Sequence, residues 1–168
     1  ALTKFPLRML SIQQLQRIAN VFIHAEEVRN NHDICGQPFS IAYFVGSTGN
    51  EFPQYNFDII NQILDKREKN EFIKGKIIEK CPLCGGDVFL DIDEKQDLVI
   101  HKCHGCNKIF RLYYSDDEIY RTLPTFIVST VDKLAAVATN RRFKNLLGGK
   151  LDICRKGHGF IPYNDKCK

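Results

Sequence analysis

The chain has no apolar run near the ~20 residues that a membrane-crossing helix takes, so no segment of it is expected to span a bilayer. Its first residues, Ala1-Leu-Thr-Lys-Phe-Pro6, lack the basic start and apolar stretch of a secretory signal. Methionine is almost absent: Met9 stands alone and Ala1 is not an initiator, so the segment is expected to be cut from a longer protein. No G-x-x-x-x-G-K-[ST] phosphate loop occurs, and Gly148-Gly-Lys150 has neither the spacing nor the following hydroxyl. No Asp-Glu box follows a strand; Asp116-Asp-Glu118 sits in a polar linker ahead of one. ATP hydrolysis needs both parts to hold phosphates and magnesium, so this chain alone is expected to have no ATPase activity. A Ser-His-Asp arrangement is also missing. Cys35 has His32 three residues earlier but nothing to orient it, so no catalytic residue is assigned.

What is present is cysteine in a pattern. Cys81-Pro-Leu-Cys84 and Cys103-His-Gly-Cys106 are two C-x-x-C pairs with 18 residues between them. That spacing suits four thiolates around one tetrahedral zinc, a closed and therefore structural Zn2+ site. Two residues between ligands let a tight turn aim both sulfurs at one point. Gly85-Gly86 and Gly105 are expected to supply the φ freedom of those turns. Disulfides, or reduced cysteines in a core, are the alternative. Seven cysteines is an odd number, and with four assigned to metal the count points to a reducing cytoplasm. The net charge of +4 permits nucleic-acid contact without requiring it. Arg141-Arg142-Phe-Lys144 and Lys150 to Lys156 concentrate that charge, either for a partner or as solvated surface.

Periodicity organises the rest. Phe5 to Leu10 reads as a strand or the exit from one. Ser11-Ile-Gln-Gln14 has the form of a capping box opening a helix to about Arg29, with Ile12, Leu15, Ile18, Ala19, Phe22 and Ile23 on its apolar face. Phe39 to Val45 is a near-continuous apolar run, as a buried parallel strand requires, and it ends in Gly46-Ser-Thr-Gly49. A second helix is predicted from about Asn56 to Phe72. Residues 77–115 are predicted to form a small β zinc ribbon with strands at Asp87–Asp93, Leu98–His101 and Lys108–Tyr114. A short acidic helix, Asp116–Arg121, leads to a strand at Pro124–Ser129. Thr130 then caps a helix running to about Lys144, ended by Gly148-Gly149. Strand and helix in alternation predict an α/β fold, a partial parallel sheet with flanking helices, interrupted by the ribbon. The expected domains are 1–76 and 116–168, two parts of one α/β unit, with 77–115 inserted between them.

Ligands of such sheets bind at the carboxyl ends of the strands. Here those ends carry Ser11, Gly46, Ser47, Thr48, Ser129 and Thr130, which as hydroxyls or free amides at helix starts could meet phosphate oxygens. As helix caps they would need no ligand at all. Phe110, Tyr113 and Tyr114 with Lys108 and Arg111 could stack nucleic-acid bases or dock the ribbon on its parent, and His101 and His104 could donate to phosphate. Cys154, His158 and Cys167, with Cys35 or His32, could hold a second metal, or the thiols could be inert.

Three segments carry a resemblance. Pro6-Leu-Arg-Met-Leu-Ser-Ile-Gln-Gln-Leu-Gln-Arg-Ile-Ala19 resembles the Ia region of superfamily 2 helicases. Phe44-Val-Gly-Ser-Thr-Gly49 is similar to the glycine-containing element that follows, and Pro124 to Ala135 to the Ib element. The wording is nearest to the helicase family of the bacterial DISARM anti-phage system, which has similar Leu-Arg-Leu-Leu-Thr-x-x-Gln-Gln and Thr-Val-Asp-Lys stretches and a cysteine-rich insert. Lys156-Gly-His-Gly-Phe160 also looks like an element of that family. The resemblance implies the middle of a first RecA-like domain, with the ATP loop and magnesium box in the parent protein outside this chain. It implies backbone contact with DNA, single-stranded or tracked along its phosphates, together with partners in the remaining helicase domains and in a defence-system protein. The competing expectation is a zinc-ribbon protein–protein interaction module with no nucleic-acid role.

Overall fold

The computed structural model describes residues 1–6, 8–46, 65, 75–135 and 140–163. The elements are β1 (Leu2–Phe5), α1 (Arg8–Asn31), β2 (Ile41–Phe44), β3 (Val88–Asp93), β4 (Leu98–Cys103), β5 (Ile109–Phe110), β6 (Leu112–Tyr113), α2 (Asp116–Thr122), β7 (Phe126–Thr130) and α3 (Val131–Ala135). A 3-10 segment, Arg141–Leu147, and the hairpin β8 (Leu151–Ile153) and β9 (Phe160–Pro162) complete them. The second helix expected at 56–72 lies outside the described residues.

The main sheet has the order β1-β7-β2-β6, and each of its three pairings is parallel. The apolar run of β2 is explained by its central place, because successive side chains of a strand point to opposite faces. Ile41, Tyr43 and Val45 pack with Leu15, Ala19 and Ile23 of α1. Ala42 and Phe44 pack with Ile119 and Tyr120 of α2 and with Leu134, Phe143 and Leu146. Both faces are thus covered, as a parallel sheet requires. Burying each such large apolar side chain stabilises the fold by ~1.5–3 kcal/mol.

Between β2 and β6 the chain makes a separate three-stranded antiparallel sheet, β3-β4-β5. Leu90, Val99 and Phe110 of this sheet share one apolar cluster with Leu15, Ile41 and Val128 of the main layer, so the two sheets have a common core. Here the structure corrects the expected third strand at Lys108–Tyr114. Ile109–Phe110 pairs antiparallel with β4, while Leu112–Tyr113 crosses into the main sheet beside β2. Arg111 stands at the break, and its carbonyl still accepts from the Ile41 amide at 2.9 Å.

Three boundaries also move. The first strand ends at Phe5, and α1 begins at Arg8, so Ser11 lies inside the helix and is not its cap. Thr130 closes β7, and Asn140 caps a distinct 3-10 segment where one helix from 131 to 144 was expected. The αL conformation of Gly148, with φ 89°, ends that segment. The acidic helix α2 carries the capping box that α1 lacks: Ser115 accepts from the Glu118 amide, and the Glu118 carboxylate reaches back to the Ser115 amide.

Candidate metal centre

The two C-x-x-C turns repeat one backbone pattern. In the first, the Gly85 amide donates to the Cys81 carbonyl at 2.8 Å and the Cys81 amide donates to the Gly86 carbonyl at 2.8 Å. In the second, Asn107 donates to the Cys103 carbonyl at 3.1 Å and Cys103 donates to the Lys108 carbonyl at 2.9 Å. Each turn needs a left-handed residue just after its second cysteine. Gly85 takes φ 74° in one and Asn107 φ 56° in the other, asparagine tolerating that region better than most residues.

Gly86 and Gly105 have a different role from the one expected, since neither takes a positive φ. They make room. A Cβ on Gly105 would stand 3.2 Å from the Cys84 sulfur, and one on Gly86 would stand 3.3 Å from the Cys103 sulfur. His104 anchors the second turn to the hairpin base through its amide, 2.9 Å from the Asp87 carbonyl.

The four ligand atoms of Cys81, Cys84, Cys103 and Cys106 all lie within 4.8 Å of one another. Cys81 and Cys106 sulfurs are 3.7 Å apart, and those of Cys84 and Cys103 are 3.4 Å apart. Four sulfurs at ~2.3 Å from a tetrahedral ion would have edges of ~3.8 Å, so the set is close enough to hold one metal ion. The Cys106 amide points at the Cys103 sulfur at 3.5 Å, as it would toward a thiolate. Burial pushes the Cys81 thiol up to about 12. At Cys103 burial also opposes ionisation, but the Cys106 amide and neighbouring thiols outweigh it and bring that group down to about 7. A cation replacing the protons is what lets all four groups be thiolates at once.

Polar contacts fasten this module to the main layer. The Ile77 amide donates to Nε2 of His101 at 3.0 Å, which puts the imidazole proton on Nδ1. His101 is fully buried, and burial holds its pKa down to about 3. It is therefore neutral and cannot serve as a surface donor to phosphate. The Val99 amide donates to the buried Glu118 carboxylate at 2.9 Å, which also accepts from the Ser115 hydroxyl at 2.8 Å. Lys108 pairs with Glu27 of α1 at 2.8 Å, and Gln16 of α1 donates to the Ile77 carbonyl at 3.0 Å. Phe110, Tyr113 and Tyr114 are 3–5% exposed, so their rings dock the module and present no face to bases.

The carboxyl ends of β1, β7 and β2 share one edge of the main sheet. Ser11 and Ser129 are both fully buried. The Ser11 hydroxyl bonds the Tyr43 hydroxyl at 2.9 Å, and the Ser129 hydroxyl donates to the Phe44 carbonyl at 2.6 Å, tying β7 to β2. Thr130 is 5% exposed at the strand end, and Gly46 is half-buried with open space where a Cβ would go. Ser47 and Thr48 lie outside the described residues.

Comparison with known proteins bears on these features. This chain is similar to the DISARM protein DrmA of Bacillus paralicheniformis. The identity is 30% over 185 aligned residues, taking in 98% of this chain and 16% of that protein. The chain therefore spans about a sixth of the length of the curated relative it matches. No family model matches. Among the described residues no helix is long and apolar enough to cross a membrane.

The second cysteine cluster is only partly in view. Cys154 is buried in the turn between β8 and β9, with the Lys156 amide 3.4 Å from its sulfur. His158 contacts Asp97 at 3.2 Å, Cys35 is exposed after α1, and Cys167 lies outside the described residues. The sequence reads Glu118 and Arg111 differently, as part of a polar linker and as part of a basic, aromatic strand. Glu118 shows itself as a joint only as the fourth residue of Ser115-Asp-Asp-Glu118, a capping box in wording, whereas the sequence marks Arg111 by its aromatic neighbours but not by its place between two sheets.

Proposed function

We propose that this chain is the α/β part of a helicase-like defence protein, carrying a structural zinc ribbon and presenting the carboxyl edge of its sheet to nucleic-acid backbone phosphates. Residues 1–76 and 116–168 form a RecA-like unit, and the ribbon fills most of 77–115, giving Leu112–Tyr113 back to the sheet. The observation that carries the reading is the meeting of the β1, β7 and β2 ends on one edge, in a chain similar along 98% of its length to DISARM protein DrmA. Gly46, Ser47, Thr48 and Thr130 make the phosphate contacts through free amides and hydroxyls. Ser11 and Ser129 act behind them, holding the edge in shape through their bonds to Tyr43 and Phe44. Zinc suits the centre because four thiolates in a closed tetrahedral set favour it, and it has a structural role there. The ATP and magnesium sites belong to other segments of the parent protein, so this chain alone hydrolyses no ATP, and it works in the bacterial cytoplasm.

Fluorescence anisotropy of labelled single-stranded DNA across a salt series tests the reading. Binding should be independent of sequence and should weaken steeply as salt rises. Absence of binding at low salt would favour the second reading, a ribbon that recruits a protein. The burial of Phe110, Tyr113 and Tyr114 supports that reading as well, because none of these rings is open to stack on a base.

A further inference from the structure

At the opposite edge of the main sheet, where β2, β6 and β7 begin, the structure forms an open cleft with a cavity volume of about 530 Å³. Its volume falls within the ~300–1,000 Å³ of ordinary small-molecule sites. The far wall comes from the turn between β8 and β9. Ile153 and Phe160 give it apolar surface, and no aspartate or glutamate lines it.

Besides the amides of Gln37 and Gln96, its polar side chains include a group of donors. Ser40 and Thr125 form a reciprocal clip across the starts of β2 and β7: the Ser40 amide donates to the Thr125 hydroxyl at 3.3 Å, and the Thr125 amide donates to the Ser40 hydroxyl at 3.4 Å. Each oxygen thus has an amide as donor, and neither hydroxyl proton has an acceptor among the described residues. Arg111 adds a half-buried guanidinium that makes no hydrogen bond or ion pair among the described residues. The other charged groups of the wall are engaged elsewhere. Arg121 is held by Asp117 and by the carbonyls of Gln96, Asp97 and His158, and His158 faces Asp97. Glu26 and Glu27 line a neighbouring cleft together with Arg111, but the Glu26 oxygens are held by Arg29 and the Phe39 amide and Glu27 pairs with Lys108.

A guanidinium that no carboxylate hydrogen-bonds, beside two hydroxyl protons, calls for a ligand made of acceptors. We propose that this cavity binds a small organic oxyanion, a carboxylate or phosphate monoester with an apolar body, whose anionic head is forked by Arg111 between Ser40 and Thr125. The apolar part rests on Ile153 and Phe160. This site lies at the amino ends of the strands and is separate from the edge proposed for nucleic acid.

Isothermal titration of the full chain with phenyl phosphate, phenylacetate and the neutral benzyl alcohol tests it. At least one anion should bind at millimolar concentration or tighter and the alcohol should not; the stronger anion tells phosphate from carboxylate. Arg111→Gln should weaken that binding roughly tenfold or more, because a hydrogen bond to a charged group is lost. Should Arg111→Gln fail to give a native circular dichroism spectrum, Thr125→Val, at an exposed position, should still weaken the anion severalfold. Failure of both anions to bind, equal binding of the alcohol, or unchanged affinity in folded variants would overturn the assignment.

Discussion

Replacing His101 with glutamine keeps an acceptor for the Ile77 amide but takes away a group that titrates. The folded imidazole holds no second proton until about pH 3, whereas its ordinary value is 6.5. Between those values the unfolded chain binds about one proton more than the folded chain, so stability drops as pH falls. Each pH unit of descent costs about 1.4 kcal/mol. The sign follows from burial: the neutral form is the native one, so the contribution is complete above the unfolded value and fades toward the folded one. From pH 6 to pH 4.5 the wild type should lose about 2 kcal/mol more than His101→Gln. Urea unfolding followed by far-ultraviolet circular dichroism, at saturating metal, measures this directly. Carboxylates titrate in both proteins and cancel in the comparison. Parallel stability–pH curves for the two proteins would refute the reasoning, because they would mean that the ring is solvated or already protonated in the fold.

Chelating the metal should unfold β3-β4-β5, since site formation and folding of such modules are one event; loss of metal by atomic absorption should coincide with loss of the strand signal. Gly105→Ala puts a Cβ 3.2 Å from the Cys84 sulfur and should lower metal affinity about tenfold in competition with a chromophoric chelator, an effect of the size seen when groups around a metal are disturbed. Gly46→Ala meets open space and should change unfolding stability by no more than ~0.5 kcal/mol. Glu118→Ala leaves the buried Val99 amide without its acceptor and removes the return half of the α2 capping box, which should destabilise the chain by roughly 3 kcal/mol; Glu118→Gln, retaining one acceptor oxygen, should cost about half as much.

The gathering of the four cysteines was legible because their spacing is a local property, and β2 because a strand buried on both faces shows an unbroken apolar run. What failed to show was long-range choice. Ser11-Ile-Gln-Gln14 has the wording of a cap, yet the helix starts a turn earlier and the hydroxyl turns inward to Tyr43, 32 residues away. Lys108 to Tyr114 reads as one strand because nothing in its side chains marks where it leaves one sheet for another. That exchange is set by the free edge beside β2, which exists only once the fold is assembled. The glycines of the cysteine turns were visible, but their use was not. Close approach to sulfur places Gly86 and Gly105, while Asn107 takes over a backbone shape that glycine would also have suited.

One carboxylate closes two joints. Glu118 completes the first turn of α2 and, with its other oxygen, grips the backbone of β4, so helix and hairpin reach full strength only together. The cysteine module is consequently no pendant on a slack tether. An unbroken line of contacts runs from β4 through Val99 and Glu118 into the helix whose Tyr120 ring lies against Phe44, at the end of β2.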